Sequence, residues 1–197
     1  MRRFVLDTSL FTNPHVYGQF GDSELGAVEA FIGLARQTPA EFYMPLSVYD
    51  EFRHMRDLGD LAADFETEVW VRSPRRFQLQ IPSEVLYEFI HEVRSRIDRG
   101  LRIAEEHTKR AGAAEKLDPT MITHLRDQFR EAMRKGLLDS REDVDAVLLA
   151  MELDAELASA DEGMRKFGNR VGVKLVTADY LKKIMSNLSE YPEGFKR

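Results

Sequence analysis

The chain has 197 residues, of which 43% are hydrophobic and 31% charged, with a net charge of −6 and no cysteine. This composition predicts a folded protein with a real core, and it excludes disulfides, thiolate metal sites and a cysteine nucleophile. No apolar run approaches the roughly 18 residues that a membrane span needs, and no signal-peptide core follows the N-terminus. We therefore expect a cytoplasmic protein with no membrane partner. Any binding of nucleic acid must come from local basic patches.

The first predicted element is a short buried strand that ends in a carboxylate. Residues 4–6 are an apolar run, and Asp7 follows them at the start of an Asp-Thr-Ser sequence. An acid at the carboxyl end of such a strand lies where α/β sheets place their sites. Because a buried carboxylate without partners is costly, Asp7 needs a metal, a cation or hydrogen-bond donors. The alternative for this residue taken alone is an ordinary helix cap.

Helices and strands alternate in the next segment. Ser23 is placed to cap a helix, residues 42–44 predict a second short strand, and Ser47 is placed to cap the helix after it. Residues 58–70 continue in a helical pattern. Their expected core residues are Leu61, Phe65 and Trp70. Two short segments are candidates for a further extended piece: residues 69–71 and 77–79.

A long helical hairpin is predicted for residues 83–136. Ser83 begins an apolar stripe at helical spacing, and Pro119 suits the first turn of a second helix. We expect the hairpin to be inserted into an α/β domain formed by residues 1–82 and 137–197. Its first helix is rich in basic residues: Arg94, Arg96, Arg99, Arg102, Lys109 and Arg110.

This hairpin has two candidate uses. An arginine-rich helix can bind an RNA backbone without reading its sequence, and a long apolar stripe suits a subunit interface. The alternative for any single arginine is a solvated helix face, because acidic residues are interspersed. The sequence leaves open whether the hairpin serves RNA binding, assembly or both.

The final third returns to α/β alternation. A helix is predicted over residues 143–153, a strand over 155–158 and a further strand over 173–176. Asp161 follows the first of these strands, and Asp179 follows the second. We assign Asp161 to the site and Asp179 to a helix cap.

Acidic side chains recur where the rim of a sheet would gather them. They are Asp7, Glu51, Asp139, Asp143, Asp145 and Asp161. Like charges at one rim repel unless a divalent cation neutralises them, and oxygen ligands without His or Cys select Mg²⁺ or Mn²⁺. Asp143 and Asp145 are two residues apart and cannot point to the same side of a helix. The alternative is a set of caps and solvated acids.

The ordered acids resemble the motifs of the PIN-like nuclease superfamily. The four similar segments are Phe4-Val-Leu-Asp7-Thr-Ser, Pro45-Leu-Ser-Val-Tyr-Asp-Glu51, Asp143-Val-Asp145-Ala-Val-Leu-Leu-Ala and Ser159-Ala-Asp161. Three further features resemble the minimal RNA-free ribonuclease P family known as HARP. These are the run from Asp7 to Pro14, the inserted hairpin, and Asp139-Ser-Arg-Glu-Asp-Val-Asp145.

The resemblance implies a PIN-like three-layer α/β fold with a central, mostly parallel sheet. It also implies metal-dependent removal of 5′ leaders from precursor tRNA, leaving 5′-phosphate and 3′-hydroxyl ends, and assembly into a large homo-oligomer. The implied catalytic acids, which also hold Mg²⁺ or Mn²⁺, are Asp7, Asp139, Asp143 and Asp161. Asp145 stays open as the other registration of the third motif, and Glu51 is a further candidate ligand.

Two other functions fit part of the pattern. A toxin-type PIN endoribonuclease shares the acids, but such toxins are usually more compact than a chain with this insertion. A non-catalytic RNA-binding scaffold would use the basic hairpin and has no need of the full acid set. Nucleotide hydrolysis lacks its Gly-x-x-x-x-Gly-Lys-Ser/Thr loop.

Overall fold

The computed structural model describes residues 1–113, 119–134 and 140–191. It divides the chain into two compact units, Met1–Ile81 with Ser140–Arg197, and Pro82–Asp139. Among the described residues, no helix combines the length and apolar character that a membrane crossing requires.

The first unit is built on a five-stranded sheet in which every pairing is parallel. The strands are β1 Arg2–Leu6, β2 Ala40–Met44, β3 Val69–Val71, β4 Glu156–Ser159 and β5 Lys174–Thr177. Their spatial order is β3-β2-β1-β4-β5, so the chain moves outward in one direction from β1 to β3 and in the other from β4 to β5. This confirms the predicted α/β class with a parallel central sheet.

The strand order places the site. Crossover connections between parallel strands share one hand, so a reversal of strand order leaves a crevice at the carboxyl ends of the strands where it occurs. Here those strands are β1 and β4, which pair from Phe4↔Glu156 to Leu6↔Ala158. Asp7 and Asp161 follow these neighbouring strands, so the topology brings together two acids that are far apart in sequence.

Ten α-helices lie within the described residues. They are α1 Ser9–Thr12, α2 Pro14–Tyr17, α3 Glu24–Ala35, α4 Leu46–Met55, α5 Leu61–Glu68, α6 Ser83–Ala113, α7 Pro119–Arg134, α8 Arg141–Leu153, α9 Glu162–Arg170 and α10 Leu181–Glu190. The Ser23 side chain accepts a hydrogen bond from the Gly26 backbone N–H at 3.1 Å, as the predicted cap requires. A 3₁₀ turn, Ala178–Tyr180, precedes α10 and contains Asp179.

An aromatic cluster fixes the segment that follows Asp7. Phe11 in α1 lies 5.3 Å from Phe31, 5.4 Å from Phe52 and 5.8 Å from Phe65, measured between ring centroids, and all four rings are buried. Each ring comes from a different helix, so the cluster ties four helices together. Offset and edge-to-face aromatic pairs add to the stabilisation that burial gives. The cluster thereby holds the backbone beside Asp7.

Two local predictions in the first unit were wrong, and a choice between two segments is settled. Trp70 is 66% exposed, because it lies on the edge strand β3 and faces away from the core. Ser47 does not cap α4, since the helix begins at Leu46 and the Ser47 hydroxyl donates to Asp145 instead. Of the two candidate extended segments, only residues 69–71 form a strand; residues 77–79 belong to a turn region.

The second unit is a pair of helices, α6 and α7, that pack against each other. At their contact, a Cβ atom on Gly100 would lie 2.6 Å from Phe129 Cε2, so only glycine lets the ring approach this closely. His107 is buried, and its Nε2 pairs with Gln128 Oε1 at 2.9 Å. Much of the apolar stripe is exposed in the single chain: Leu86, Phe89, Ile90, Val93, Ile97 and Leu101.

Candidate active site

Asp7 is a buried carboxylate held by hydroxyl groups. It is 6% exposed, and its Oδ2 atom accepts hydrogen bonds from Ser9 Oγ at 2.5 Å and Ser159 Oγ at 2.7 Å. Burial raises the pKa of Asp7, and this effect outweighs the opposing hydrogen bonds from the two hydroxyls and from the backbone of Ser9 and Thr8. A positive charge placed beside this carboxylate would remove the cost of its burial.

The same two serines connect the ends of β1 and β4. The Ala160 backbone N–H donates to Ser9 Oγ at 2.8 Å, and the Asp161 backbone N–H donates to Ser159 Oγ at 2.9 Å. The Asp161 side chain is exposed, and its Oδ1 caps α9 by accepting from the Met164 N–H at 2.6 Å. Asp161 is therefore both a helix cap and a neighbour of the Asp7 network.

Glu51 lies within the electrostatic reach of Asp7, and Glu142 acts on Glu51 in turn. The pKa of Glu51 is raised, first by burial and then by the negative charges of Glu142 and Asp7. Sequence reasoning missed Glu142, although it stands beside Asp143 in an acidic run and lies in the first turn of α8. The signal that could have revealed it is this acidic run, which places Glu142 and Asp143 in the same helix turn.

The two aspartates of the third motif lie in different surroundings. The Asp143 backbone N–H donates to Ser140 Oγ at 3.0 Å, which caps α8, and its side chain is half-buried. Asp145 is 2% exposed and accepts from Ser47 Oγ at 2.6 Å and from Arg76 Nε at 3.1 Å, with a second bond from Arg76 Nη2. The Arg76 guanidinium therefore already neutralises the carboxylate of Asp145. Asp139 lies outside the described residues.

An open cleft of about 500 Å³ lies beside the two glutamates described above, whereas Asp7, Asp143, Asp145 and Asp161 are not among its lining residues. Glu51 and Glu142 line it together with Arg76 and Arg141. Within residues 1–113, 119–134 and 140–191, no three His, Asp or Glu side chains converge tightly enough to hold an ion by themselves. The donor chemistry nevertheless fits Mg²⁺ or Mn²⁺, because Mg²⁺ binds through one or two carboxylates and completes its shell with water and substrate phosphates.

The basic residues of α6 fall into two groups. Three are engaged in ion pairs: Arg96 and Arg99 with Glu92 at 3.0 and 3.5 Å, and Arg110 with Glu106 at 3.7 Å. Three others have exposed side chains: Arg94, Arg102 and Lys109. The second group is the better source of phosphate contacts, because those charges lie in solvent.

The fold and the acids agree with the known proteins that this chain resembles. A family model described as a PINc domain ribonuclease matches residues 3–190, so the class is that of the PINc endoribonucleases, enzymes that generally depend on divalent metal ions. A protein of Alkalilimnicola ehrlichii named RNA-free ribonuclease P is 74% identical over 188 residues, covering 95% of this chain and 98% of the relative.

More distant relatives carry the same name. The protein of Halorhodospira halophila is 63% identical over 96% of this chain and 92% of its own length. The protein of Thermococcus kodakarensis is 38% identical over 98% of both chains. This chain belongs to the RNA-free ribonuclease P family, as its motifs predicted.

Proposed function

We propose that this protein removes 5′ leaders from precursor tRNA in the cytoplasm, using Mg²⁺. One observation carries the proposal: Asp7 is buried at the point where the strand order of the sheet reverses, within the electrostatic reach of Glu51. Full-length similarity to proteins named RNA-free ribonuclease P supports the choice of substrate.

The reaction is hydrolysis of one phosphodiester bond. The oxygen of water bonds to phosphorus, the bond from phosphorus to the 3′ oxygen of the leader breaks, and that oxygen takes a proton. The tRNA then carries a 5′-phosphate and the leader a 3′-hydroxyl. A divalent cation held by the carboxylates would supply positive charge to the phosphate and lower the pKa of the attacking water.

The residues of this chain have distinct roles in the proposal. Asp7, Asp143 and Asp161 would hold the cation together with Asp139, and Ser9 and Ser159 fix the direction of the Asp7 carboxylate. Glu51 lines the open cleft, where a raised pKa makes its carboxylate a better acceptor for the proton of the attacking water.

The roles proposed for Glu142 and Asp145 differ from those that the sequence motifs imply. We add Glu142 to the site, because its charge acts on Glu51 and its side chain lines the same cleft. We assign Asp145 to anchoring Arg76 and Ser47, which leaves Asp143 as the principal acid of the third motif.

The test is cleavage of a precursor tRNA by the purified protein. With Mg²⁺ we expect a single cut at the leader junction, and end mapping should find a 5′-phosphate on the tRNA. Chelation of the metal should stop the reaction, and renewed Mg²⁺ should restore it. Cuts scattered through the RNA would favour a general PIN endoribonuclease, and an intact precursor would favour a non-catalytic scaffold.

The exposed cations of α6 are proposed to bind the RNA backbone. Reversing the charge at Arg94, Arg102 and Lys109 should weaken binding of precursor tRNA and reduce the slope of log affinity against log salt by about 2–3, roughly one unit for each lost phosphate contact. Fluorescence anisotropy at several salt concentrations measures the slope.

A matched variant controls for net charge. Reversal of three exposed lysines in the first unit, Lys166, Lys174 and Lys183, changes the total charge equally. It should leave most of the slope in place. An equal loss in both variants would mean that net charge, rather than the hairpin, governs RNA binding.

The exposed stripe of α6 is proposed as a subunit interface within a large homo-oligomer. A single helix cannot cover so many apolar side chains, and contiguous apolar patches on isolated chains mark interaction sites. Sedimentation velocity tests this, since a chain of 22.7 kDa that stays monomeric would refute it.

A further inference from the structure

A short loop presents an aromatic ring to solvent beside the open cleft that Glu51 and Glu142 line, which we call the acidic cleft. Residues 73–78, Ser-Pro-Arg-Arg-Phe-Gln, follow β3, and the side chain of Phe77 in this loop is fully exposed. Single exposed apolar residues are ordinary on protein surfaces. Phe77 differs from that ordinary case in two respects: ion pairs and hydrogen bonds anchor its loop to α8, and its loop lies beside the acidic cleft.

Ion pairs and hydrogen bonds fix the loop to α8. Glu152 of that helix pairs with Arg72 and accepts from the Arg75 backbone N–H at 2.7 Å, and Arg76 pairs with the buried Asp145. The loop also bonds to itself, since the Gln78 N–H donates to the Arg75 carbonyl at 2.9 Å. α8 also carries Glu142 and Asp143, so the backbone of the loop that bears Phe77 is tied to the helix that bears these acids.

The space in front of the ring adjoins the cleft. A recess of about 380 Å³ is lined by Ser73, Pro74, Arg75, Arg76, Phe77 and Gln78. Ser73 and Arg76 also line the acidic cleft, so the two spaces share a wall. A ligand whose phosphate reacted in the cleft could therefore extend directly into the recess.

We propose that this recess, which we call the Phe77 recess, binds one unpaired nucleotide of the RNA substrate, with its base stacked on Phe77 and its phosphate beside Arg75 and Arg76. Aromatic side chains next to a basic backbone track are the usual means of holding single strands, and stacking tolerates every base. The inference rests on the proposed function and adds a second contact to it.

The geometry of the substrate selects the leader. Bases of an A-form stem are already stacked and paired, so they cannot turn onto a protein ring, whereas unpaired nucleotides can. In a precursor tRNA, unpaired nucleotides next to the scissile phosphate belong to the leader. The Phe77 recess should therefore distinguish precursor from product.

Charge and size argue against a protein partner at the recess. Two guanidinium groups line the recess. Arg76 pairs with Asp145 and Arg75 with Glu152 at 3.5 Å, but 69% of the Arg75 side chain stays exposed and can contact a polyanion. A stable protein interface buries about 800 Å² on each partner, far more than one ring in a small recess supplies. A second copy of the chain is thus the weaker occupant, and the experiment below detects it.

The test compares RNA binding with and without a leader. In EDTA, Phe77→Ala should lose about tenfold in affinity for a precursor with a short unpaired leader, within the range for one base–aromatic stack. Phe77→Trp should keep the affinity. All variants should bind the same tRNA without its leader equally. A 2-aminopurine base in the leader should be quenched by the wild-type chain and brighten with Phe77→Ala.

The control is a different exposed aromatic residue. Trp70→Ala removes a ring on β3 that lies outside the linings of both spaces, and it should bind like the wild-type chain. The inference would be overturned if Phe77→Ala bound the precursor, as well as the tRNA without its leader, with the same affinity as the wild-type chain. A changed sedimentation coefficient with unchanged leader affinity would also overturn it, because the ring would then belong to a contact between copies. If the wild-type chain leaves precursor tRNA uncut, the proposed function is refuted, and this outcome is distinct from a failure of the leader-binding test.

Discussion

Replacing Asp7 by Asn should reduce leader removal by about 10²- to 10³-fold, because a metal-bound charge stabilises the transition state by several kcal/mol. Asn keeps the size of the side chain and an oxygen that the Ser9 and Ser159 hydroxyls can reach. It removes the negative charge that the cation requires. Single-turnover cleavage at saturating protein measures the loss, and RNA affinity in EDTA should stay unchanged.

The raised pKa of Asp7 also predicts how Asp7→Asn changes the stability of the metal-free protein. The pKa of Asp7 lies above its ordinary 3.8 in the metal-free fold, mainly because the carboxyl group is buried. Its favourable contribution is therefore full below about pH 3.8 and is lost as pH rises through the folded-state pKa. Metal-free Asp7→Asn should then unfold at a higher temperature than metal-free wild type at pH 7, and the two should converge in acid.

Metal titration separates this explanation from a general change in the fold. A divalent ion at about 100 times its dissociation constant stabilises a folded protein by roughly 2.7 kcal/mol. Wild type should show this rise in unfolding temperature, and Asp7→Asn should show little of it. Retention of both cleavage and metal stabilisation by the variant would exclude Asp7 as a ligand.

Breaking the Arg76–Asp145 pair should destabilise the first unit by about 3 kcal/mol, the lower end of the range for a buried pair that loses one partner. Among the described residues, Arg76→Met leaves Asp145, which is 2% exposed, with the Ser47 hydroxyl as its side-chain donor. We choose the lower end because 36% of the Arg76 side chain is already exposed. Urea unfolding with tryptophan fluorescence measures the change.

A double variant tests whether the unpaired charge of Asp145 causes the loss of stability in Arg76→Met. Arg76→Met with Asp145→Leu removes both charges, and such apolar replacements of buried pairs are often neutral or stabilising. It should recover most of the lost stability. Arg36→Met breaks exposed pairs with Asp64 and Glu68 and should change little, since surface ion pairs contribute little. Equal losses from Arg36→Met and Arg76→Met would contradict the argument.

Much of the fold could be read from local sequence signals. Residues 4–6 form an apolar run that only a buried strand explains, and Asp7 follows it directly. Ser23, Ser83 and Pro119 stand at helix starts, because caps and first-turn proline act through neighbouring backbone groups. Such signals are local in the chain, so one sequence is enough to reveal them.

The missed features depend on contacts between distant residues. Ser47 looked like a cap, but its hydroxyl is used by Asp145, 98 residues away. Arg76 reaches the same carboxylate across 69 residues. Glu142 joins the site because α8 packs against β1, and Trp70 is exposed because β3 is at the edge of the sheet. No periodic pattern within one element encodes strand order.

The order of the strands also determines when this nuclease can become active during synthesis on the ribosome. Its central strand, β1, pairs on one side with residues 40–44 and on the other with residues 156–159. Asp7 and Glu51 therefore emerge early, whereas Ser159 and Asp161 emerge only after the whole hairpin has been translated. A nascent chain shorter than 159 of the 197 residues lacks both Ser159, whose hydroxyl donates to Asp7, and Asp161. Truncated products released from stalled ribosomes should consequently be harmless to cellular RNA.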